Sequence, residues 1–195
     1  MIDIWHEYGC QVAVLVNHPH GYRVLPEADM VILQKEWRGF PVAANILCQR
    51  VPADIVVVVG DDLYPDPNTT AQQVGEEMLS RFPDLYGVVQ PTGDRYGLPD
   101  ICCISPWIGQ TFIERAYRGR GPYWEGYYHY FADHELQLAA EKLGVFQQRP
   151  DLVQYHDHWQ RKGEFRPKYL RQAKREHRKD KLLCEQRKRE GFPGL

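Results

Sequence analysis

The sequence predicts an α/β fold, a single mainly parallel sheet flanked by helices and followed by a basic C-terminal helix. Three observations carry that prediction. Short apolar runs rich in β-branched residues, such as Gln11 to Asn17 and Ile55 to Val59, alternate with stretches of helical spacing. Those runs are continuous instead of alternating apolar with polar, the pattern of strands covered on both faces. The last thirty-odd residues are charged throughout with a thin apolar stripe.

The elements follow in order. Ile2 to Gly9 fits a short helix closed by its glycine. Gln11 to Asn17 is a strand, and Asn17-His-Pro-His-Gly21 is turn chemistry. Asp29 to Gln34 is a second short strand. Phe40 to Arg50 is a helix with Pro41 in its first turn. Ile55 to Val59 is a third, fully buried strand, stopped by Gly60 and barred from further pairing by Pro65 and Pro67. Thr69 to Phe82 is a helix capped by Asn68. Leu85 to Gln90 and Ile101 to Ser105 are further strands, and Pro106 to Arg118 is helical up to the Gly119-Arg-Gly-Pro122 break. Asp133 to Leu143 is a helix ended by Gly144. Val145 to Tyr155 is extended, and one long helix spans Phe165 to Gly191.

At 195 residues the chain fits one body with a sizeable core. The five cysteines form no Cys-x-x-Cys pair, which speaks against a thiolate zinc site and for a reducing compartment. With no apolar run of membrane-spanning length and no leader pattern, a cytoplasmic location is expected. The formal charge of −2 conceals an asymmetry. Residues 161–190 hold 13 Lys or Arg and 5 Asp or Glu, a net of +8, which leaves −10 on residues 1–160. The expected division is therefore a catalytic body at 1–160 and a basic helical tail at 161–195.

Chemistry concentrates in four places. Asp61 and Asp62 follow the third strand, where ligands of open α/β sheets sit and where two adjacent carboxylates call for a cation. Gly39 and Asn45 belong to the turn and helix before that strand. Trp124 to Leu136 is aromatic-rich and leads into Asp133, His134 and Glu135 at a helix start, where an acid is favoured by the helix dipole and is placed to act as a general base. His156 and His158, in Tyr155-His-Asp-His-Trp159, share one face of an extended segment, a spacing suited to a metal.

Taken in order, the strand, the Gly-Asp-Asp-x-x-Pro segment, the aromatic run into an acidic helix start and the late histidine resemble the GT-A glycosyltransferases, most closely the broad family 2 group. Arg38-Gly-Phe-Pro-Val-Ala-Ala-Asn45 is similar to that family's helix before the metal motif. The resemblance covers roughly residues 11–158, and the N-terminus is shorter than the family's by one strand–helix unit. It implies a metal-dependent, inverting transfer of sugar from a nucleotide-sugar donor to an acceptor hydroxyl. It implies Asp62 and His156 as ligands of Mn²⁺ or Mg²⁺, with Asp61, Asn45 and Trp124 around the donor. Asp133 is implied as catalytic base, with Glu135 as the alternative. Gly60 stands where the family's first acid would be. Other activities fit the residues too: a nucleotidyltransferase, a catalytically silent module of the same fold, or a hydrolytic metalloenzyme on His156, Asp157 and His158. The basic tail suits phosphate contact, with nucleic acid or anionic lipid as a partner.

Overall fold

The computed structural model describes residues 1–17, 25, 27–96, 102–165, 167 and 170–195. The expected turn at 18–21 and the start of the strand expected at Ile101 lie outside them.

The described elements are α1 (Ile2–Tyr8), β1 (Ala13–Val16), β2 (Met30–Leu33), α2 (Phe40–Arg50), β3 (Ile55–Val57), β4 (Leu63–Tyr64), α3 (Ala71–Arg81), β5 (Val88–Pro91), β6 (Trp107–Gly109), α4 (Gln110–Arg115) with a 3-10 turn at Ala116–Arg118, α5 (Ala132–Lys142), β7 (Phe146–Arg149), β8 (Tyr155–His156) and α6 (Leu170–Glu190). The fold is mixed α/β, but the single mainly parallel sheet is corrected to three small ones. β1 and β2 pair in parallel; β3-β6-β5-β7 form a four-stranded sheet; β4 and β8 pair antiparallel. Within the four-stranded sheet, β6 runs antiparallel to both β3 and β5, whereas β5 and β7 are parallel.

Local sequence explains most of the elements. Gly9 takes the left-handed conformation that ends α1 (φ 102°). Pro41 sits in the first turn of α2, where its missing N–H costs nothing. The cap of α3 is Thr70, not Asn68: Thr70 accepts from the Gln73 N–H while the Gln73 side chain accepts from the Thr70 N–H. Asn68 instead closes a turn on Asp66, whose carboxylate accepts its main-chain N–H at 2.8 Å.

Two strand expectations are corrected. Residues 102–105 are not a strand; the strand is Trp107–Gly109, beyond Pro106, where Ile108 pairs with both Val56 and Val88. Gly109 is required there, because any Cβ would stand 2.1 Å from the Leu85 carbonyl oxygen. The run from Ile55 to Val59 is only half-buried, since β3 is an edge of its sheet.

Two apolar cores lie on opposite faces of β3. Val56 and Val58 pack with Ala44 and Cys48 of α2, Phe112 of α4 and Leu136 of α5. Ile55, Val57 and Val59 pack with Trp5 of α1 and Val74 and Met78 of α3. The C-terminal helix is docked on the body, not free of it. Ala173, Asp180, Cys184 and Arg187 form its buried stripe. Asp180 accepts the main-chain N–H groups of Tyr128, His129 and Tyr130, each at 3.0 Å. Among the described residues, no helix is long and apolar enough to cross a membrane.

Candidate functional site

The third strand leads through Gly60 into Asp61 and Asp62, and the chain then turns directly into β4. Leu63 and Tyr64 pair with His156 and Tyr155 of β8, and the Asp157 N–H donates to the Asp62 carbonyl at 2.8 Å. This short ladder fixes the geometry of two residues far apart in sequence. Asp62 Oδ2 stands 3.3 Å from His156 Nε2. The hydrogen bond from His156 holds the Asp62 carboxyl below the usual carboxylate range, against the opposing effect of burial, so Asp62 is ionised at neutral pH. Asp62 keeps a third of its side-chain surface open.

Around this pair stands a shell that sequence reasoning missed. Asp94 accepts the His156 main-chain N–H at 3.2 Å and receives Arg161 Nη2 at 3.0 Å. The Arg161 guanidinium lies 4.2 Å from the centre of the Tyr96 ring and 4.7 Å from that of Tyr155. Tyr96 Oη meets His158 Nδ1 at 3.0 Å, and the rings of His156 and His158 are 5.0 Å apart. Burial and the neighbouring His156 push the His158 imidazole below its ordinary value. The Thr92-Gly-Asp-Arg-Tyr96 turn after β5 carried the available signal, a polar loop at a strand end.

Beside the pair is a small polar hollow walled by Gln90, Thr92, Asp94, Tyr96, Ser105 and His156. Its floor is a buried amide network: the Ser105 N–H donates to Gln90 Oε1, and Gln154 Nε2 donates to the Ser105 carbonyl. His156 Nδ1 is buried and has no hydrogen-bond partner among the described residues.

A carboxylate oxygen beside an imidazole nitrogen is a mixed donor pair that suits a transition-metal ion better than one that takes only oxygen. Two cis ligands about 2.1 Å from an octahedral ion stand about 3 Å apart, close to the Asp62–His156 separation. Among the described residues, no group of three His, Cys, Asp or Glu side chains gathers to hold a metal unaided. A cation held here would draw its remaining ligands from outside these two side chains. Asp61 is exposed beside this pair.

The other expected site residues lie elsewhere. Asp133, half-buried in the first turn of α5, accepts the His134 N–H with its side chain and the Cys103 N–H with its carbonyl. Ile104 and Ser105, which follow Cys103, line the hollow with His156. No hydrogen bond or ion pair joins Asp133 to Asp62 or His156 among the described residues.

Glu135 is corrected from candidate base to structural anion. It is wholly buried and accepts from Tyr117 Oη and Tyr127 Oη, each at 2.7 Å, and from Arg187. Asn45 is likewise committed inside the protein. At 1% exposure, it donates to the Tyr123 carbonyl and accepts the Tyr123 N–H, clamping the loop after Gly119. One face of Trp124 is taken by the Arg187 guanidinium, 3.8 Å from the ring centre. No family model, no curated protein and no solved structure matches this chain.

Proposed function

We propose that the protein is a GT-A-type, inverting glycosyltransferase that holds its nucleotide-sugar through a divalent cation at Asp62 and His156. The observation that carries this reading is the 3.3 Å approach of those two side chains. Mn²⁺ suits a mixed carboxylate and imidazole pair better than Mg²⁺. Such an ion, when bound, offsets the charge gathering on a departing diphosphate. Asp62 would supply the anionic ligand, and His156 Nε2, which hydrogen-bonds Asp62 in this structure, would give up that proton to become the second. Asp94 and Arg161 orient His156, and Asp61 stands at the open side for the donor's hydroxyls. In this reading Asp133, in the first turn of α5, takes the proton of the acceptor hydroxyl.

The test combines binding and turnover. Calorimetric titration with MnCl₂ and UDP together should show binding that neither Asp62→Asn nor His156→Ala retains. A panel of nucleotide-sugars with Mn²⁺ should release nucleoside diphosphate, and Asp133→Asn should keep binding while losing transfer. Full turnover by Asp62→Asn overturns the assignment, and release of pyrophosphate instead indicates a nucleotidyltransferase.

One set of observations favours a second reading, a catalytically silent module of this fold. Asn45 and Glu135 are committed to structure, and among the described residues no third His, Cys, Asp or Glu joins Asp62 and His156. Absence of both Mn²⁺ and UDP binding selects that reading.

A further inference from the structure

We propose that the outer face of α6 binds the phosphate backbone of a nucleic-acid duplex without regard to base sequence. The inference is independent of the glycosyltransferase reading and rests on how the docked helix divides its charge.

Docking splits α6 into two faces. Ala173, Asp180, Cys184 and Arg187, at i, i+7, i+11 and i+14, lie buried against the body. Arg171, Lys174, Arg175 and Arg178, at i, i+3, i+4 and i+7, share the opposite side, and all four are exposed. Lys181 and Arg189 continue that side and are exposed as well. The acids of the helix are placed otherwise. Asp180 points inward, where it accepts three main-chain N–H groups. Glu176 and Glu190 stand on the flank, tied to Gln172 and Gln186 at 3.0 and 2.9 Å. Glu185, on the outer side, meets Lys181 at 3.9 Å.

Among the described residues, no carboxylate stands at ion-pair distance from Arg171, Lys174, Arg175 or Arg178. Like charges three and four positions apart on a helix repel one another. Four such cations in two turns are therefore unfavourable by themselves, and a polyanion laid along them reverses the sign of the interaction.

Chemistry selects the polyanion. The guanidinium groups of Arg171, Arg175 and Arg178 carry paired N–H donors that match phosphate oxygens. From Arg171 to Lys181 the helix runs about 15 Å, and a duplex offers one phosphate charge per about 1.7 Å of its axis. Single strands are held by stacking as well as by charge, and α6 carries no Phe, Tyr or Trp. Its His177 ring lies instead against Tyr130 and Phe131 of the body, at 4.9 and 5.4 Å between ring centres. A helix that grips a membrane surface lays its apolar side into the lipid. In α6 that side is occupied, since Leu183 and Cys184 pack into the body's core. Leu182 is the one exposed apolar residue of the helix.

The test uses the full chain, a short labelled DNA duplex and two variants. One carries Arg171→Gln, Lys174→Gln, Arg175→Gln and Arg178→Gln. The other carries Lys35→Gln, Arg50→Gln, Arg81→Gln and Arg120→Gln, exposed cations outside α6, and has the same net charge. The native chain should bind at about 50 mM salt and weaken at least about tenfold by about 200 mM. A duplex of unrelated sequence should bind within about twofold of the first. The α6 variant should lose at least about tenfold in affinity and flatten the logarithmic salt slope by about 3–4, at about 0.9 per phosphate contact removed. The other variant should stay within about threefold. Arg175→Gln alone should flatten the slope by about 1, which keeps the proposal falsifiable should the fourfold variant not fold. Five results overturn it. They are no duplex binding at low salt, equal losses in the two fourfold variants, an unchanged slope in Arg175→Gln, tighter binding of single-stranded DNA, and tighter binding of phosphatidylserine vesicles, which would give the face to a membrane.

Discussion

Arg187 of α6 closes on Glu135 of α5 with Nε at 3.0 and 2.8 Å from the two carboxylate oxygens and Nη2 at 2.7 Å from one of them. The two side chains are 4% and 0% exposed. The pair joins the basic C-terminal helix to the body, and two tyrosine hydroxyls complete the carboxylate's acceptor sites.

Removing one partner leaves the other charge buried and alone. Arg187→Met should cost about 3–5 kcal/mol in urea unfolding, and Glu135→Gln should be similar. The double variant Glu135→Gln/Arg187→Met should recover part of that loss, because the cost lies in the uncompensated charge. A single-variant loss below about 1 kcal/mol would show that water reaches the pair.

The cap of α3 separates two asparagine and threonine roles. Thr70→Ala should destabilise by about 1 kcal/mol, since it removes the acceptor of the Gln73 N–H. Asn68→Ala should cost less, because its side-chain bond to Asp66 at 3.2 Å is duplicated by its own main-chain N–H, which stays after the substitution. Chemical denaturation of both variants measures the difference, and the reverse ranking would restore Asn68 as the cap.

Asp29 makes the entry to the β1–β2 pair sensitive to acid. Its carboxylate accepts the Val12 N–H at 2.7 Å and meets His6 Nε2 at 2.8 Å, and these bonds, the first foremost, lower its pKa. A group with a depressed folded pKa contributes stability above its unfolded value, about 3.9, and loses it as pH falls through the lower folded value. Asp29→Asn should therefore be less stable than the native chain at pH 7, with the gap closing as pH drops below 4. A constant gap from pH 7 to pH 3 would remove the link to this carboxylate.

Thiol chemistry should report the fold. Burial raises Cys10 to about 11 and Cys48 to about 12, and raises Cys103 and Cys184 as well. At pH 8 these four thiols should react slowly with an aromatic disulfide reagent and promptly once the chain is unfolded in guanidinium. Fast reaction of Cys48 in the folded protein would mean that α2 opens from its core.

The outer face of α6 carries Lys174, Arg175, Arg178, Lys179, Lys181, Lys188 and Arg189, all exposed. If this face meets nucleic acid, binding of a labelled DNA duplex should weaken steeply as salt rises from low to physiological strength. No binding at low salt removes nucleic acid as the partner.

The sequence by itself determined the elements whose causes are local. The span of α2 from Phe40 to Arg50, the glycine stop of α1 and the acidic start of α5 follow from spacing, proline and glycine geometry within a few residues. The resemblance to GT-A enzymes singled out Asp62 and His156 together, and the fold brings these two side chains to 3.3 Å. Only the tertiary structure decided what depends on contacts between distant segments. Periodicity counts neighbours along the chain and is blind to those across it. Nothing local distinguishes Glu135, neutralised by Arg187 from 52 positions away, from Asp133, two residues earlier. In the same way, a run of β-branched residues reads as buried on both faces, whereas the place of β3 at the edge of the described sheet is a property of the sheet. The shell of Asp94, Tyr96 and Arg161 exists only because the β4–β8 ladder brings the turn after β5 against the chain's late histidines.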